Sequence, residues 1–180
     1  MTILDKVIAA VTPLESEEER QSARTRARAT AVNAPWLVRV LEHHQQIEAA
    51  FAAVRDAGDA SGRRHAQKWL GTLLTGHSIA EEAVIYPAMA LGDQKGHATA
   101  AYTEQSGAKI NLAGLETLDP MSQDYLDKLE HVRGAVAHHV YEEESKWFSE
   151  LAQSGGEALQ ARLSARYSEE FDRYMGADAG

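Results

Sequence analysis

The sequence predicts an all-α protein, an antiparallel up-down-up-down four-helix bundle with an extra N-terminal helical arm and a C-terminal helix. The 180 residues include only four prolines, and long stretches rich in Ala, Leu, Glu and Gln lie between turn signals. No segment alternates apolar and polar residues as a half-buried strand does. A chain of this length can bury the core of one ordinary domain without disulfides, and it has no Cys.

The N-terminal arm is predicted over residues 1–34. Apolar residues recur with helical spacing over residues 3–11, which predicts a short helix that Thr12-Pro13 ends. Ser16 and Glu19 form a capping box at the start of the next helix. Because this second helix lacks a strong apolar stripe, we expect it to be solvated or loosely docked.

The bundle is predicted over residues 35–154, and a C-terminal helix packed on it over residues 155–180. Four longer helices are expected, over residues 36–57, 62–91, 96–118 and 121–153. Short segments rich in Gly, Asp and Ser, one of them with Pro, separate these helices, so neighbours should be antiparallel. Apolar residues at positions 159, 163, 167 and 171 mark the face by which the last helix packs.

Charge and composition limit the classes of partner and of metal ligand that this protein can have. Eighteen basic and 27 acidic side chains give a net charge of −9, which argues against nucleic acid or an anionic membrane as partner. The longest apolar run spans nine residues, far below the roughly 20 of a membrane span, and the N-terminus does not resemble a signal peptide. We therefore expect a cytoplasmic protein. Without Cys, the strong metal ligands left are His, Asp and Glu.

One motif occurs twice, as His77-x-x-x-Glu81 and His139-x-x-x-Glu143. Residues four apart share a helical face, so each copy directs an imidazole and a carboxylate the same way, and the two faces could jointly hold a metal. The spacing alone is weak evidence, since the chain has four His-x-x-x-Glu pairs. Position along the bundle is stronger evidence. Reflection about the predicted turns places His44 and Gln105 at the height of the two motifs.

This order of residues, with Tyr86-Pro87 and Phe148 after the acidic pairs, resembles the hemerythrin-like HHE cation-binding domain over about residues 36–153. The resemblance implies an antiparallel four-helix bundle that holds a non-haem di-iron centre with bridging carboxylates. Members bind O2 or respond to iron, O2, nitric oxide or peroxide. Carried over residue by residue, the motif implies these metal ligands: His44, His77, Glu81, His139 and Glu143.

The sequence departs from the family pattern at Gln105, where the family has His. An amide oxygen is a weaker iron ligand than an imidazole, so one metal should be under-coordinated. Tyr102, three residues earlier on the same face, and Glu48, one turn after His44, could take the missing place. We expect Gln105 and Tyr102 to line the pocket.

Neighbouring residues have simpler interpretations. His43 and His138 lie about 100° round their helices from the motif residues, which predicts outer or surface roles. Glu144 is expected on a solvated face beside the site, where it could bind a nearby Lys or Arg. The larger aromatic side chains are expected in the core, some of them around the pocket: Trp36, Phe51, Trp69, Tyr86, Trp147 and Phe148.

Two functions of different classes fit the sequence. The first is a non-haem di-iron protein that binds or reacts with O2, peroxide or nitric oxide, with binding, sensing and enzymatic turnover all open. The second is a metal-stabilised helical interaction or regulatory module, in which a single Zn, Mn or Fe holds the bundle together. Metal identity and stoichiometry distinguish them.

Overall fold

The protein is described by a computed structural model that covers residues 15–177, and no β-strand occurs within that range. The predicted all-α class is confirmed, whereas the helix expected over residues 3–11 lies outside the described residues. The helices are α1 (Glu17–Thr30), α2 (Pro35–Asp56), α3 (Ala60–Ala80), α4 (Tyr86–Leu91), α5 (Lys95–Ala113), α6 (Gln123–Glu142), α7 (Phe148–Gln153) and α8 (Glu157–Ala177).

Two π-helical turns interrupt the long helices. One, Glu81–Ile85, joins α3 to α4, and the other, Glu143–Trp147, joins α6 to α7. Each begins at the glutamate of a His-x-x-x-Glu motif, and each closes with an amide that donates to the carbonyl five residues earlier. Such wide turns are rare and are concentrated at functional sites. In this protein, one π-helical turn begins at each of the two motifs.

The core lies between four helices. Helix α2 packs against α3 and α6, and α5 packs against the same two helices. Most of the aromatic side chains predicted for the core are buried there, and Tyr125 joins them. Trp69 was predicted wrongly, because it lies on the outer face of α3 with 51% of its surface exposed. No helix among the described residues has the length and apolar character to cross a membrane.

Arg63 fixes the relative positions of two connections. Its buried guanidinium donates to the carbonyls of Val54, Arg55 and Ala57 at the end of α2, and to that of Pro120 before α6. These carbonyls lie at or beyond helix ends, where the intrahelical ladder leaves them without partners. The hydrogen bonds of Arg63 therefore link the turn between α2 and α3 to the connection between α5 and α6.

Helix α1 is docked closely, contrary to the expectation of a loose arm. Ala23 and Ala27 are fully buried, and Arg24 is 6% exposed. Small alanine side chains let α1 approach the second π-helical turn, so close packing needs no stripe of large apolar residues. The capping box is confirmed, since Ser16 Oγ accepts from the Glu19 amide and Glu19 accepts from the Ser16 amide.

Helix α8 covers the other π-helical turn. It packs against α2, α3 and residues 81–85, and it buries Leu163, Tyr167 and Phe171. The two helices at the ends of the chain therefore lie over the two π-helical turns, α1 over the second and α8 over the first.

Candidate metal centre

The five residues implied as ligands lie together in the core. One nitrogen or carboxylate oxygen from each of His44, His77, Glu81 and Glu143 lies within 4.8 Å of those from the other three. His139 adjoins them, with its Nε2 3.1 Å from Glu143 Oε1. All five are buried. Helix α2 supplies His44, while the two motifs supply the rest at the junctions of α3 and α6 with their π-helical turns.

Three atoms of this cluster have no hydrogen-bond partner among the described residues: His44 Nε2, Glu81 Oε1 and Glu143 Oε2. His44 Nε2 lies 3.3 Å from Glu143 Oε2 and 3.8 Å from Glu81 Oε1, yet neither contact has hydrogen-bond geometry. An imidazole nitrogen and two carboxylate oxygens that are buried together without hydrogen-bond partners among the described residues are costly unless a cation lies between them. The residues present therefore fit a metal ion with nitrogen and oxygen ligands.

The three histidines share one orientation. In each, Nε2 faces the cluster and Nδ1 contacts an outer oxygen, the arrangement that sets the tautomer and ring orientation of a metal-bound imidazole. The outer contacts are Glu144 Oε1 with His44 at 2.9 Å, Tyr167 Oη with His77 at 3.1 Å, and Glu104 Oε2 with His139 at 2.8 Å.

Tyr86 lies inside the cluster, although the sequence indicated only a core aromatic with a place near the pocket. Its hydroxyl is 2.8 Å from Glu143 Oε1 and 3.2 Å from both Glu81 Oε2 and His139 Nε2. On an α-helix, Tyr86 would lie about 140° round from Glu81, five residues earlier. The π-helical turn brings the two onto one face, and no sequence signal for that turn was recognised.

Gln105 faces the cluster, as reflection predicted. It is 4% exposed, and its amide nitrogen donates to Glu81 Oε2 while its amide oxygen has no partner among the described residues. Tyr102 is placed differently. Its hydroxyl donates to the backbone carbonyl of Glu82, and its ring meets the edge of Tyr86. Glu48 also points away from the cluster, since Arg24 binds its carboxylate.

Glu144 is buried, so the prediction of a solvated face was wrong, although the expected basic partner is present. Only 1% of its surface is exposed. Helix α1 covers this face and brings the Arg24 guanidinium within 3.0 Å of Glu144 Oε1, the oxygen that also contacts His44. The packing of α1 therefore buries Glu144 and supplies its counter-charge.

His43 and His138 lie outside the cluster, as expected. His43 Nδ1 contacts the Tyr167 hydroxyl at 2.8 Å, and the same hydroxyl contacts His77, so His43 reaches the site through Tyr167. His138 is partly buried and contacts Glu15.

Burial and mutual charge set the protonation of the metal-free cluster. Burial and the charge of Glu143 raise the pKa of Glu81 to about 7. Burial also opposes ionisation of Glu143, but the neighbouring His139 and His44 hold its pKa below the usual range. Burial disfavours charge on His139 too, yet Glu143 and Glu104 raise its pKa to about 10. The metal-free cluster therefore holds protons that a metal must displace.

Comparison with known proteins identifies the family to which this chain belongs. The model of the hemerythrin HHE cation-binding domain matches residues 37–151. A protein of Nostoc sp. (strain PCC 7120 / SAG 25.82 / UTEX 2576) named DNA nickase is 26% identical over 131 residues, which cover 71% of this chain and 34% of that protein. The chain thus spans about a third of that relative's length. No solved structure was found to match. The matched region contains the complete cluster, and the chain belongs to the hemerythrin family of HHE cation-binding domains.

Proposed function

We propose that this protein binds non-haem iron at the cluster and uses it to bind or react with O2, peroxide or nitric oxide. The observation that carries the proposal is the convergence of His44 Nε2, Glu81 Oε1 and Glu143 Oε2, none of which has a hydrogen-bond partner among residues 15–177. Mixed imidazole and carboxylate ligands suit iron, and family membership supports the same metal.

We further propose that the four central helices form an antiparallel up-down-up-down bundle. The contacts of α2 and α5 with both α3 and α6 support this arrangement, as do the short connections between successive helices. In such a bundle, facing helices can direct ligands from several elements at one level.

A two-iron centre is the form we propose, and both Glu81 and Glu143 would help to hold it. Glu81 and Glu143 each direct one oxygen towards His44 and the other towards Tyr86. His44 and His77 would hold the first iron with these carboxylates. His139 would hold the second, where Gln105 presents an amide and Tyr86 a hydroxyl in place of a further imidazole.

Bound iron would supply an open coordination position and a redox couple for a small oxidant. The chain supplies the surroundings. Fully buried Tyr86 and Phe148, with Trp147 at 4% exposure, line or adjoin the two π-helical turns and limit access of bulk water. Burial and the charges of Glu143 and Glu81 raise the pKa of Tyr86 well above its usual value, so its hydroxyl keeps its proton in the metal-free protein.

The test is anaerobic loading with Fe(II), removal of free metal, iron analysis and exposure to O2. We expect about two irons per chain and a new visible charge-transfer band after exposure. His44→Ala should lose iron, whereas His65→Ala, which alters an exposed histidine near the start of α3, should retain it. Wild-type protein without iron, or iron whose spectrum is left unchanged by O2, peroxide and nitric oxide alike, would refute the proposal. Consumption of added peroxide would indicate an enzyme.

A single-metal structural module is the second candidate, and one observation favours it. Tyr86 and Gln105 already hydrogen-bond Glu143 Oε1 and Glu81 Oε2, whereas the oxygens without partners among the described residues, Glu81 Oε1 and Glu143 Oε2, face His44. Purification without added metal discriminates the two. About one Zn or Mn per chain would support the module, and about two irons the redox centre.

DNA nicking is not carried over from the Nostoc protein. About two thirds of that relative lies outside the match. The net charge of −9 also opposes binding to a polyanion, so we propose a small oxidant rather than nucleic acid as the partner.

A further inference from the structure

Arg24 on α1 connects a segment outside the family match to the candidate metal centre. The match begins at residue 37, and Arg24 precedes it by 13 positions. The guanidinium is nearly buried and binds two carboxylates. Its Nε lies 3.0 and 3.2 Å from the two oxygens of Glu144, and its terminal nitrogens lie 3.1 and 3.0 Å from those of Glu48.

Glu144 connects Arg24 to the metal cluster. Glu144 Oε1 accepts from Arg24 Nε and also lies 2.9 Å from His44 Nδ1. His44 is fully buried, and its Nε2 is one of the unpartnered atoms of the cluster. Three residues from three elements therefore form one line from α1, through the second π-helical turn, to the imidazole on α2.

We propose that Arg24 is a positioning residue of the metal centre, an inference that rests on the proposed function. By holding the buried Glu144 carboxylate in one orientation, Arg24 keeps it aligned to accept from His44 Nδ1. That hydrogen bond places the imidazole proton on Nδ1 and directs the Nε2 lone pair into the cluster. The helix before the family domain is thus part of the metal site.

Docking of α1 does not by itself account for this contact. The buried alanines Ala23 and Ala27 already attach the helix, and the Glu48 contact lies towards solvent, with 47% of the Glu48 side chain exposed. The Glu144 contact is wholly buried. A buried carboxylate without its counter-charge is costly, so loss of Arg24 should release Glu144 from its present orientation.

The experiment measures Co(II) affinity and the ligand-field spectrum of bound Co(II) in the full chain. Arg24→Gln should weaken binding about 10- to 100-fold and shift the spectrum. Arg26→Gln is the matched control, because Arg26 lies on the same helix and bonds Ser22 one turn earlier. Glu48→Gln weakens the outer contact alone and should leave affinity and spectrum unchanged.

Glu144→Gln supplies the decisive comparison. If Arg24 acts through Glu144, the variant with both changes should bind Co(II) no more weakly than Glu144→Gln alone. Additive losses, or equal affinities of Arg24→Gln and Arg26→Gln, would overturn the inference while wild-type metal binding still supports the proposed function. Wild-type protein that takes up neither Co(II) nor Fe(II) would refute the proposed function itself, and with it the inference.

Discussion

Metal removal should destabilise this protein strongly. Within the part of the chain that the structure describes, three buried atoms of the metal-free cluster have no hydrogen-bond partner: His44 Nε2, Glu81 Oε1 and Glu143 Oε2. Each unpaired buried polar group costs about 1–3 kcal/mol, so a metal that engages all three should add at least about 3 kcal/mol to the free energy of unfolding. For a chain of this size, that corresponds to a rise in melting temperature of at least about 6 °C.

The assay is thermal unfolding, followed by circular dichroism, of metal-loaded and chelator-treated protein. His44→Ala should melt at one temperature with or without chelator, because it removes an atom of the cluster. Glu142→Gln is the matched control. This substitution alters a second set of possible metal ligands, Glu15, His138 and Glu142, which is partly exposed and separate from the buried cluster. The variant should therefore keep the full difference in melting temperature between loaded and stripped protein. Equal melting temperatures of loaded and stripped wild-type protein would refute the reasoning.

Four further predictions concern single features. Gln105→His should raise iron occupancy at limiting Fe(II), since an imidazole replaces a weaker ligand; occupancy equal to that of the wild type on metal analysis would mean that position 105 does not supply a ligand. Tyr167→Phe should weaken metal affinity about 10-fold or more through loss of the contact with the ligand imidazole, with Tyr174→Phe as control in the same titration. Arg63→Met should lower the free energy of unfolding, measured by urea denaturation, by about 3 kcal/mol. A change below about 1 kcal/mol would contradict a stabilising role for the hydrogen bonds of Arg63. Metal affinity should rise with pH, because the pKa of His139 is raised to about 10 and its proton must leave; affinity that is flat from about pH 6 to 8 would be inconsistent.

Much of the centre could be read from the sequence because helices have a fixed rise and period. Turn signals fix where each helix reverses, so His44 and the motifs could be placed at one height by counting residues. The helix bounds agree within a few residues except where α5 gives way to a 3₁₀ turn at Gly114–Thr117. The same counting placed Gln105 at the cluster, where the structure has it.

Residue counting along regular α-helices did not predict the positions of Tyr86 and Glu144. Tyr86 and Glu81 are five residues apart, and only the π-helical turn puts them on one face. Glu144 follows Glu143 directly, so helical periodicity assigns it to another face. That face is buried only because α1, more than a hundred positions earlier in the chain, packs over it.

Local periodicity and the spacing between turns were sufficient to predict the all-α class and to place His44, Gln105 and the two motifs at one height, while the resemblance of the motifs to HHE domains indicated the family. The residues that surround the candidate metal centre are set by tertiary packing. Arg24 on α1 binds Glu144, which contacts His44, and Tyr167 on α8 contacts His77, although α1 and α8 lie far apart in the sequence. Contacts between such distant segments depend on how the helices pack, and no local pattern encodes them.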